Sequence, residues 1–327
     1  MKFAPSPRPL LLGLLAVAAV STSPAQTIYV SSSVSSTVGI FDTSGDRIGS
    51  LDSNEVGSAN GLVTDPAGNV YLANGEGNIE EFSADGTFLS TFASTGLSNP
   101  MGLAIDTGGN IYAANFGSNS IEKFSPTGTD LGVFFDNSSA PLNVMYLNGP
   151  TGLAFGPGGN LYVANYFTGN VWAISSTGTS LGQFADANLY TPGTIAFNQA
   201  GQLYVSNQTP NTIEKFDSSG GDLATIDTGD NTSPNGLAFD QAGNLYAVMT
   251  DLGQVFKYDS SDNLSGGPLK VRFDNPSYIA ISPSAFLIPE PSSWALMAGA
   301  FMLLLVSQRN RVRRAQAYQS LSGKNGK

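Results

Sequence analysis

The chain of 327 residues contains no cysteine and no histidine. The first absence excludes disulfide bonds and thiol chemistry. The second excludes zinc sites built on imidazole, nucleophile–histidine triads and the commonest general base. Spacing singles out no lone carboxylate either. The residues therefore favour a protein that is not an enzyme, although they leave the question open.

Basic residues are also few, since 14 Lys and Arg face 25 Asp and Glu, for a formal net charge of −11. Most of the basic residues lie near the two ends, and residues 26–283 keep six basic against 24 acidic residues. Such a surface repels phosphate backbones, so we expect no nucleic-acid partner. An acidic surface also keeps a protein soluble, because like charges repel, and solubility alone could explain the composition.

What the chain does contain is an internal repeat of about 42 residues. One copy begins at Gly102 and reads GLAIDTGGNIYAANFGSNSIEKFSPTGTDLGVF, and counterparts begin at Gly61, Gly152, Thr194 and Gly236. A period of this length indicates supersecondary units that bury their apolar surfaces by stacking. One tyrosine recurs in every copy: Tyr29, Tyr71, Tyr112, Tyr162, Tyr204 and Tyr246.

Each unit has four short apolar runs separated by turn residues, which predicts four strands per unit. The second run is apolar at almost every position, so we expect it to be buried on both faces with its tyrosine in the core. The string from Asp106 to Asn110 joins the first two runs. It has the Asp and Gly of a hairpin turn and lacks the alternating acidic residues of a calcium loop. Six such units predict an all-β fold, a six-bladed β-propeller of four-stranded blades.

The sixth copy is divided between the two ends of the repeat region. Residues 278–282 (YIAIS) form a first run with no further runs behind it, whereas the segment from Thr27 supplies runs two to four. Together they make one blade, and their pairing removes the two open sheet edges of a broken ring. The sequence therefore predicts one propeller over residues 26–283, closed by pairing of its N- and C-terminal segments.

The repeat resembles the NHL repeat, whose signature runs P-x-G-[IL]-A-x-D…G-N-[IL]-Y-V-A-[DN]…I-x-K-F. Residues 99–124 match it almost throughout, and the likeness extends over 26–283. It departs at Thr194 and Tyr278, which replace the glycine, and at residues 172–174, WAI. The resemblance implies the propeller fold. Because RNA-binding NHL proteins use a basic face, the acidic balance argues against that activity here.

Residues 1–25 have the pattern of a secretory signal peptide. Lys2 and Arg8 precede an apolar run from Leu10 to Val20, and Ser23 and Ala25 supply small residues before a cleavage site. The run is short for a helix that spans a bilayer. We therefore expect export across the inner membrane.

Residues 284–327 hold a linker, a Pro-Glu-Pro motif, one apolar segment of about 16 residues and a basic tail. This arrangement resembles the PEP-CTERM sorting signal. The resemblance implies an exosortase as processing partner, transient contact with the inner membrane through a transmembrane helix, and delivery to the cell surface or extracellular matrix. A plain C-terminal anchor is the alternative. The sorting-motif residues are Pro289, Glu290, Pro291, Arg309, Arg311, Arg313 and Arg314.

Aromatic residues are the leading candidates for a binding site. In a propeller the fourth-to-first and second-to-third connections share one face, and the only insertion of the repeat, residues 136–149, also lies there. Flat rings on such a face suit stacking on sugars or on protein side chains, with packing over the rim as the alternative. The predicted ligand-binding residues are Phe116, Tyr146, Tyr166, Phe167 and Tyr190.

A metal site is the weaker possibility. Six-bladed propellers resembling gluconolactonases hold a divalent cation at the axis with Asn and acidic oxygens, and residues 235–237 (NGL) look like one such segment. No cofactor is predicted, with calcium left possible. The function class accordingly stays open between a non-catalytic propeller that binds an extracellular polysaccharide or protein and a calcium-dependent extracytoplasmic hydrolase or lactonase. The candidate metal ligands are Asn60, Asn235, Asp186 and Asp230.

Overall fold

The computed structural model describes residues 26–282 except 53, 142–143, 267–268 and 270–273. The predicted signal peptide and the linker, sorting motif, apolar helix and basic tail lie outside the described residues. Within the described part, no helix is both long and apolar enough to cross a membrane.

The described strands form six antiparallel sheets, one per blade. Blade 1 contains β23 (Pro276–Ile281), β1 (Ile28–Ser32), β2 (Thr37–Phe41) and β3 (Arg47–Ser50). Blade 2 contains β4 (Ala59–Thr64), β5 (Val70–Asn74), β6 (Ile79–Phe82) and β7 (Phe88–Ala93). Blade 3 contains β8 (Pro100–Ile105), β9 (Ile111–Asn115), β10 (Ser120–Phe124) and β11 (Asp130–Phe135).

Blade 4 contains β12 (Pro150–Phe155), β13 (Leu161–Asn165), β14 (Asn170–Ile174) and β15 (Ser180–Ala185). Blade 5 contains β16 (Pro192–Phe197), β17 (Leu203–Asn207), β18 (Thr212–Phe216) and β19 (Asp222–Asp227). Blade 6 contains β20 (Pro234–Phe239), β21 (Leu245–Met249) and β22 (Gln254–Tyr258). The predicted all-β, six-bladed propeller is confirmed.

The sixth blade differs at its outer edge, where the described residues form three regular strands. Leu264 makes an isolated antiparallel bridge with Tyr258. The N–H of Leu269 donates to the carbonyl of Val255 at 2.9 Å. This segment therefore follows β22 in the place of a fourth strand, and its remaining residues lie partly outside the described ranges.

The ring closes through its two ends, as the divided repeat predicts. β23 pairs antiparallel with β1, with Ile28 opposite Ile281 and Tyr29 opposite Ala280. The N–H of Ser282 extends the pairing by donating to the carbonyl of Thr27 at 2.9 Å. The inner strand of blade 1 therefore comes from the far end of the repeat region.

The core lies between neighbouring blades, on both faces of the second strands. All six repeat tyrosines are at most 8% exposed, so their prediction as core residues is confirmed. The Tyr162 ring meets Phe197 of the next blade edge-on, with centroids 4.8 Å apart. Each blade thus buries its apolar residues only when its neighbour is present, as the repeat period implies.

The turns between first and second strands are held by their own aspartates. The Oδ1 of Asp106 accepts hydrogen bonds from the N–H groups of Gly108 and Asn110, at 2.8 and 2.9 Å. Gly109 takes the left-handed conformation that the turn needs, with φ of 81°. The prediction that this string forms a hairpin turn is confirmed.

Candidate functional site

The upper face of the propeller, defined here as the face of the fourth-to-first and second-to-third connections, is organised by asparagines that end the second strands. The Oδ1 of Asn165 accepts from the N–H of Asn148 at 3.1 Å. Its Nδ2 donates to the carbonyl of Tyr146 at 3.1 Å. Asn115 and Asn207 hold the connections before their own blades in the same way. The residue after each asparagine is therefore held at a fixed position on the upper face.

Three of the five predicted ligand-binding residues come together there, and we call Phe116, Tyr166 and Phe167 the aromatic cluster. The centroids of the Phe116 and Phe167 rings are 5.5 Å apart. Tyr166 meets Phe167 edge-on at 5.3 Å. Phe167 is nevertheless 63% exposed, so its ring is positioned by neighbours but not covered by them.

Two rings of the aromatic cluster, Phe116 and Phe167, pack directly against Gly149. Gly149 has a φ of 65°, and a Cβ atom there would lie 2.6 Å from Cδ2 of Phe167 and 3.0 Å from Cε2 of Phe116. Neither ring could keep its place against a larger side chain. Gly149 thus makes the close approach of backbone and rings possible, which the spacing of the repeat alone did not reveal.

The aromatic cluster borders a cavity of about 340 Å³ at the upper end of the propeller axis. The starts of the first strands and the residues after the second-strand asparagines form its wall. Burial raises the pKa of the Tyr278 hydroxyl above its usual range, so this phenol stays protonated near neutral pH. The lining residues are Met101, Phe116, Thr151, Tyr166, Gly193, Gln208, Asn235 and Tyr278.

The other two predicted ligand-binding residues lie apart from the aromatic cluster. Tyr146 is half-buried in a stack, 5.8 Å from the Phe135 ring and 5.0 Å from the Trp172 ring by centroid. Its position corresponds to rim packing. Tyr190 is 64% exposed, and its N–H donates to Oδ1 of Asn207 at 3.0 Å. It remains a surface ring on the connection between blades 4 and 5.

The insertion exposes two further apolar residues that the sequence analysis missed. Val144 and Met145 are 42% and 47% exposed. They directly precede Tyr146, whose carbonyl is bonded to Asn165, so the insertion adjoins the turn that carries the aromatic cluster.

The four candidate metal ligands make different contacts and lie in different elements. Asn60 and Asn235 lie inside the first strands β4 and β20 and not in the connections before them. The Nδ2 of Asn60 donates to the carbonyl of Pro100 at 3.0 Å, whereas Asn235 lines the axial cavity. Asp186 accepts from Gln183 at 2.8 Å, and Asp230 is exposed. Among the described residues, no group of three or more acidic, His or Cys side chains could hold a metal ion.

A pair of carboxyl groups in blade 3 was also not predicted. Glu122 of β10 is 4% exposed, and burial, together with the hydrogen bond and charge of Asp130, raises its pKa to about 7. Asp130 also accepts a hydrogen bond from Oγ1 of Thr95 at 3.0 Å. A Cβ atom on Gly96 would lie 2.9 Å from both carboxyl groups. The pair therefore tethers the connection between β7 and β8.

The lower end of the axis opens into a second cavity, of about 520 Å³. The ends of the first strands, including Ile105, Phe197 and Phe239, form much of its wall. Its rim carries aspartates whose oxygens already accept hydrogen bonds within their own turns. The upper face, with its exposed and positioned rings, is the stronger candidate.

No family model and no curated protein matches the chain. Solved structures do resemble it. A chain of the nidogen/laminin complex has a TM-score of 0.68 at 19% identity, over 79% of this chain and 99% of that one. A protein of unknown function from Bacteroides caccae has a TM-score of 0.61 at 18% identity, over 79% of this chain and 99% of that one.

A catalytically inactive virginiamycin B lyase from Staphylococcus aureus, solved with quinupristin, is also similar. Its TM-score is 0.58 at 13% identity, over 81% of this chain and 94% of the lyase. At these identities the likeness shows the fold alone. The chain is thus a six-bladed β-propeller similar both to a propeller from a protein–protein complex and to an enzyme.

Proposed function

We propose that the protein is an exported, non-catalytic propeller that binds an extracellular polysaccharide or protein through the aromatic cluster. The observation that carries this proposal is the Phe167 ring, which is 63% exposed although Phe116, Tyr166 and Gly149 hold it in place. A ring that is ordered before binding loses little conformational entropy when a partner covers it. Covering it removes apolar surface from water.

The excess of acidic residues limits which class of ligand the protein can bind. With six basic and 24 acidic residues in 26–283, an anionic polymer would be repelled at low salt. We expect a neutral or cation-bridged glycan, or a protein. The similarity to a chain of the nidogen/laminin complex supports a protein partner, because that propeller was solved in a complex with a protein.

The binding proposal is tested by retention of purified protein on the producer's own cell surface or exopolysaccharide. Phe167→Ala should weaken retention about tenfold, equivalent to about 1.4 kcal/mol. Leu252→Ala is the matched control, because Leu252 is 44% exposed on a second-to-third connection of blade 6, on the same face. Equal retention of both variants, with unchanged melting temperatures, would refute the proposal. Protease treatment of the surface beforehand separates a protein partner from a glycan.

The export and C-terminal processing of the protein are a separate part of the proposal. We expect the signal peptide 1–25 to direct export, and an exosortase to remove the chain beyond the motif of Pro289, Glu290 and Pro291. Mass spectrometry of the mature surface protein should then find neither the apolar segment nor the arginines. A mature protein that ends at Lys327 would leave the plain membrane anchor as the explanation.

A calcium-dependent hydrolase or lactonase is the second candidate. It is favoured by the position of Asn235 at the axial cavity and by the likeness to a lyase of the same fold. Calcium should then raise the melting temperature, and Asn235→Ala should abolish both that rise and lactone hydrolysis. A rise in melting temperature without hydrolysis would indicate a structural ion.

A further inference from the structure

The axial cavity of the upper face has two unlike sides. Blades 3 and 4 supply the rings of Phe116 and Tyr166. Blades 5, 6 and 1 supply the side chains of Gln208, Asn235 and Tyr278. Among the described residues that line the cavity, none is charged. One side is therefore aromatic, and the other carries neutral groups that form hydrogen bonds.

Tyr278 occupies a position that is glycine in four of the other five repeats. At one of those positions, a Cβ atom on Gly61 would lie 2.2 Å from the carbonyl oxygen of Met101, so the first strands are tightly packed there. Tyr278 is only 6% exposed, and its hydroxyl makes no hydrogen bond with any described residue, although the residue lines the cavity. A buried polar group without a partner is costly unless something in the cavity bonds to it.

Asn235 differs from the equivalent asparagine of blade 2. The Nδ2 of Asn60 donates to the carbonyl of Pro100, the first residue of the next blade's first strand, at 3.0 Å. The corresponding carbonyl beside Asn235 belongs to Pro276, and Oγ1 of Thr250 already donates to it at 2.9 Å. The side-chain amide of Asn235 accordingly lines the cavity and makes no hydrogen bond with a described residue.

Gly193 makes room for this amide. The equivalent position carries a side chain in every other first strand. A Cβ atom on Gly193 would lie 2.5 Å from Oδ1 of Asn235 and 2.9 Å from Oγ of Ser206. The side-chain amide of Gln208 also lines the cavity and has no hydrogen-bond partner among the described residues. Two amides and one phenol, each able to donate and to accept, therefore lie on the polar side of the cavity.

We propose that the axial cavity binds one uncharged sugar unit of a glycan, with a face of the sugar against the aromatic side and its hydroxyl groups toward the polar side. The proposal rests on the proposed function, because it names the ligand class of the same upper face. A cavity of about 340 Å³ has the size of a small-ligand site, whereas a protein partner covers a surface of about 800 Å². Sugar hydroxyls donate and accept, so they can bond to the amides and the phenol that an apolar ligand would leave unpaired.

The lining also sets the charge of the ligand. An ionised ligand would lose its hydration in the cavity without meeting an opposite charge on the described lining residues. An anion would in addition be repelled by the acidic excess of residues 26–283. The cavity should therefore discriminate between a neutral sugar and its uronic acid, in which a carboxylate replaces the hydroxymethyl group.

The test is a ligand-observed NMR titration of the full-length chain, in a mild nonionic detergent and with EDTA to remove calcium. The probes are glucose, galactose and mannose, each paired with its uronic acid, and oligosaccharides released from the producer's exopolysaccharide. At least one neutral sugar should bind, and its uronic acid should bind at least tenfold more weakly.

Two tyrosine variants separate recognition from folding. Tyr278→Phe removes only the hydroxyl without a partner, so it should weaken sugar binding about tenfold and leave the melting temperature unchanged. Tyr29→Phe is the matched control, because the Tyr29 hydroxyl donates to the carbonyl of Ala84 at 2.9 Å. This control should lose stability and keep its affinity for the sugar. Asn235→Ala should also weaken sugar binding in EDTA, where calcium does not contribute.

The results also distinguish this inference from the proposed function, because surface retention is tested at Phe167, which lies outside the lining of the cavity. Loss of retention in Phe167→Ala, without binding of any neutral sugar, would overturn the inference and leave the proposed function with a protein partner. Sugar binding that depends on Tyr278, with full retention of Phe167→Ala, would support the cavity and refute the role of the aromatic cluster. Equal binding of a sugar and its uronic acid, or equal binding by Tyr278→Phe and wild type, would also overturn the inference.

Discussion

Replacing Glu122 by glutamine should stabilise the protein at alkaline pH and change little at pH 5. Glu122 is 4% exposed, and burial together with Asp130 raises its pKa to about 7. Asp130 itself stays ionised, because the N–H of Gly132 donates to it and lowers its pKa. Glutamine has the same size and can donate to Asp130 at every pH.

The direction follows from proton binding. A carboxyl group of the unfolded chain has a pKa near 4.3, so between about pH 4 and 7 the folded state holds a proton that the unfolded state has released. The contribution of Glu122 is fully present below about pH 4 and is lost as pH rises through 7. The gap between the two pKa values corresponds to at most about 4 kcal/mol of unfolding free energy.

Urea unfolding at pH 5, 7 and 8.5, followed by tryptophan fluorescence, measures the effect. The free energy of unfolding of Glu122→Gln should exceed that of wild type by a margin that increases with pH, up to about 4 kcal/mol at the highest pH. Glu214 provides the control, because it lies at the equivalent position of β18 with its oxygens bonded to Thr212 and Thr225 at 2.6 Å each. Glu214→Gln should destabilise at all three pH values. A margin for Glu122→Gln that stays constant or shrinks with pH would refute the reasoning.

Three further predictions concern packing and closure. Gly149→Ala should displace Phe167, weaken surface retention and lower stability by about 1–3 kcal/mol, whereas Gly77→Ala, with open space around its Cβ, should retain binding. Truncation after residue 275 removes β23 and should cost more than about 1 kcal/mol, and truncation after Ser282 should not; equal melting temperatures would contradict the closed ring. Asp262→Asn should cost about 1–3 kcal/mol in thermal melts by removing the 2.7 Å ion pair between Lys215 and Asp262, which joins blades 5 and 6.

Most of the fold follows from local information. The four runs of each repeat pair as hairpins with short turns, so the position of a residue such as Tyr112 in its blade depends only on neighbours within about 20 residues of it. The same holds for the turn built on Asp106. The divided repeat also predicts closure, because the missing first run of one end is present at the other.

Only part of the candidate site can be predicted from local sequence patterns. Phe116, Tyr166 and Phe167 were predicted on the upper face, and their assembly there agrees with the connections that carry them. Tyr146 has the same local pattern, yet it packs between Phe135 and Trp172. The difference arises because the insertion packs Tyr146 between a residue of blade 3 and a residue of blade 4, which no spacing within the repeat encodes.

The sequence by itself determined the class and order of the strands and the number of blades, since these depend on the period of apolar residues and on turn chemistry repeated in every copy. The tertiary structure alone decided which equivalent residues differ in environment. Glu122 meets a second carboxyl group where Glu214 meets two hydroxyl groups. The tertiary structure also decided that Leu131 and its equivalents face water, because a bulge shifts the register of the outer strand. Register and contacts between blades depend on the shape of facing surfaces, and a repeat pattern common to all blades cannot distinguish one blade from another.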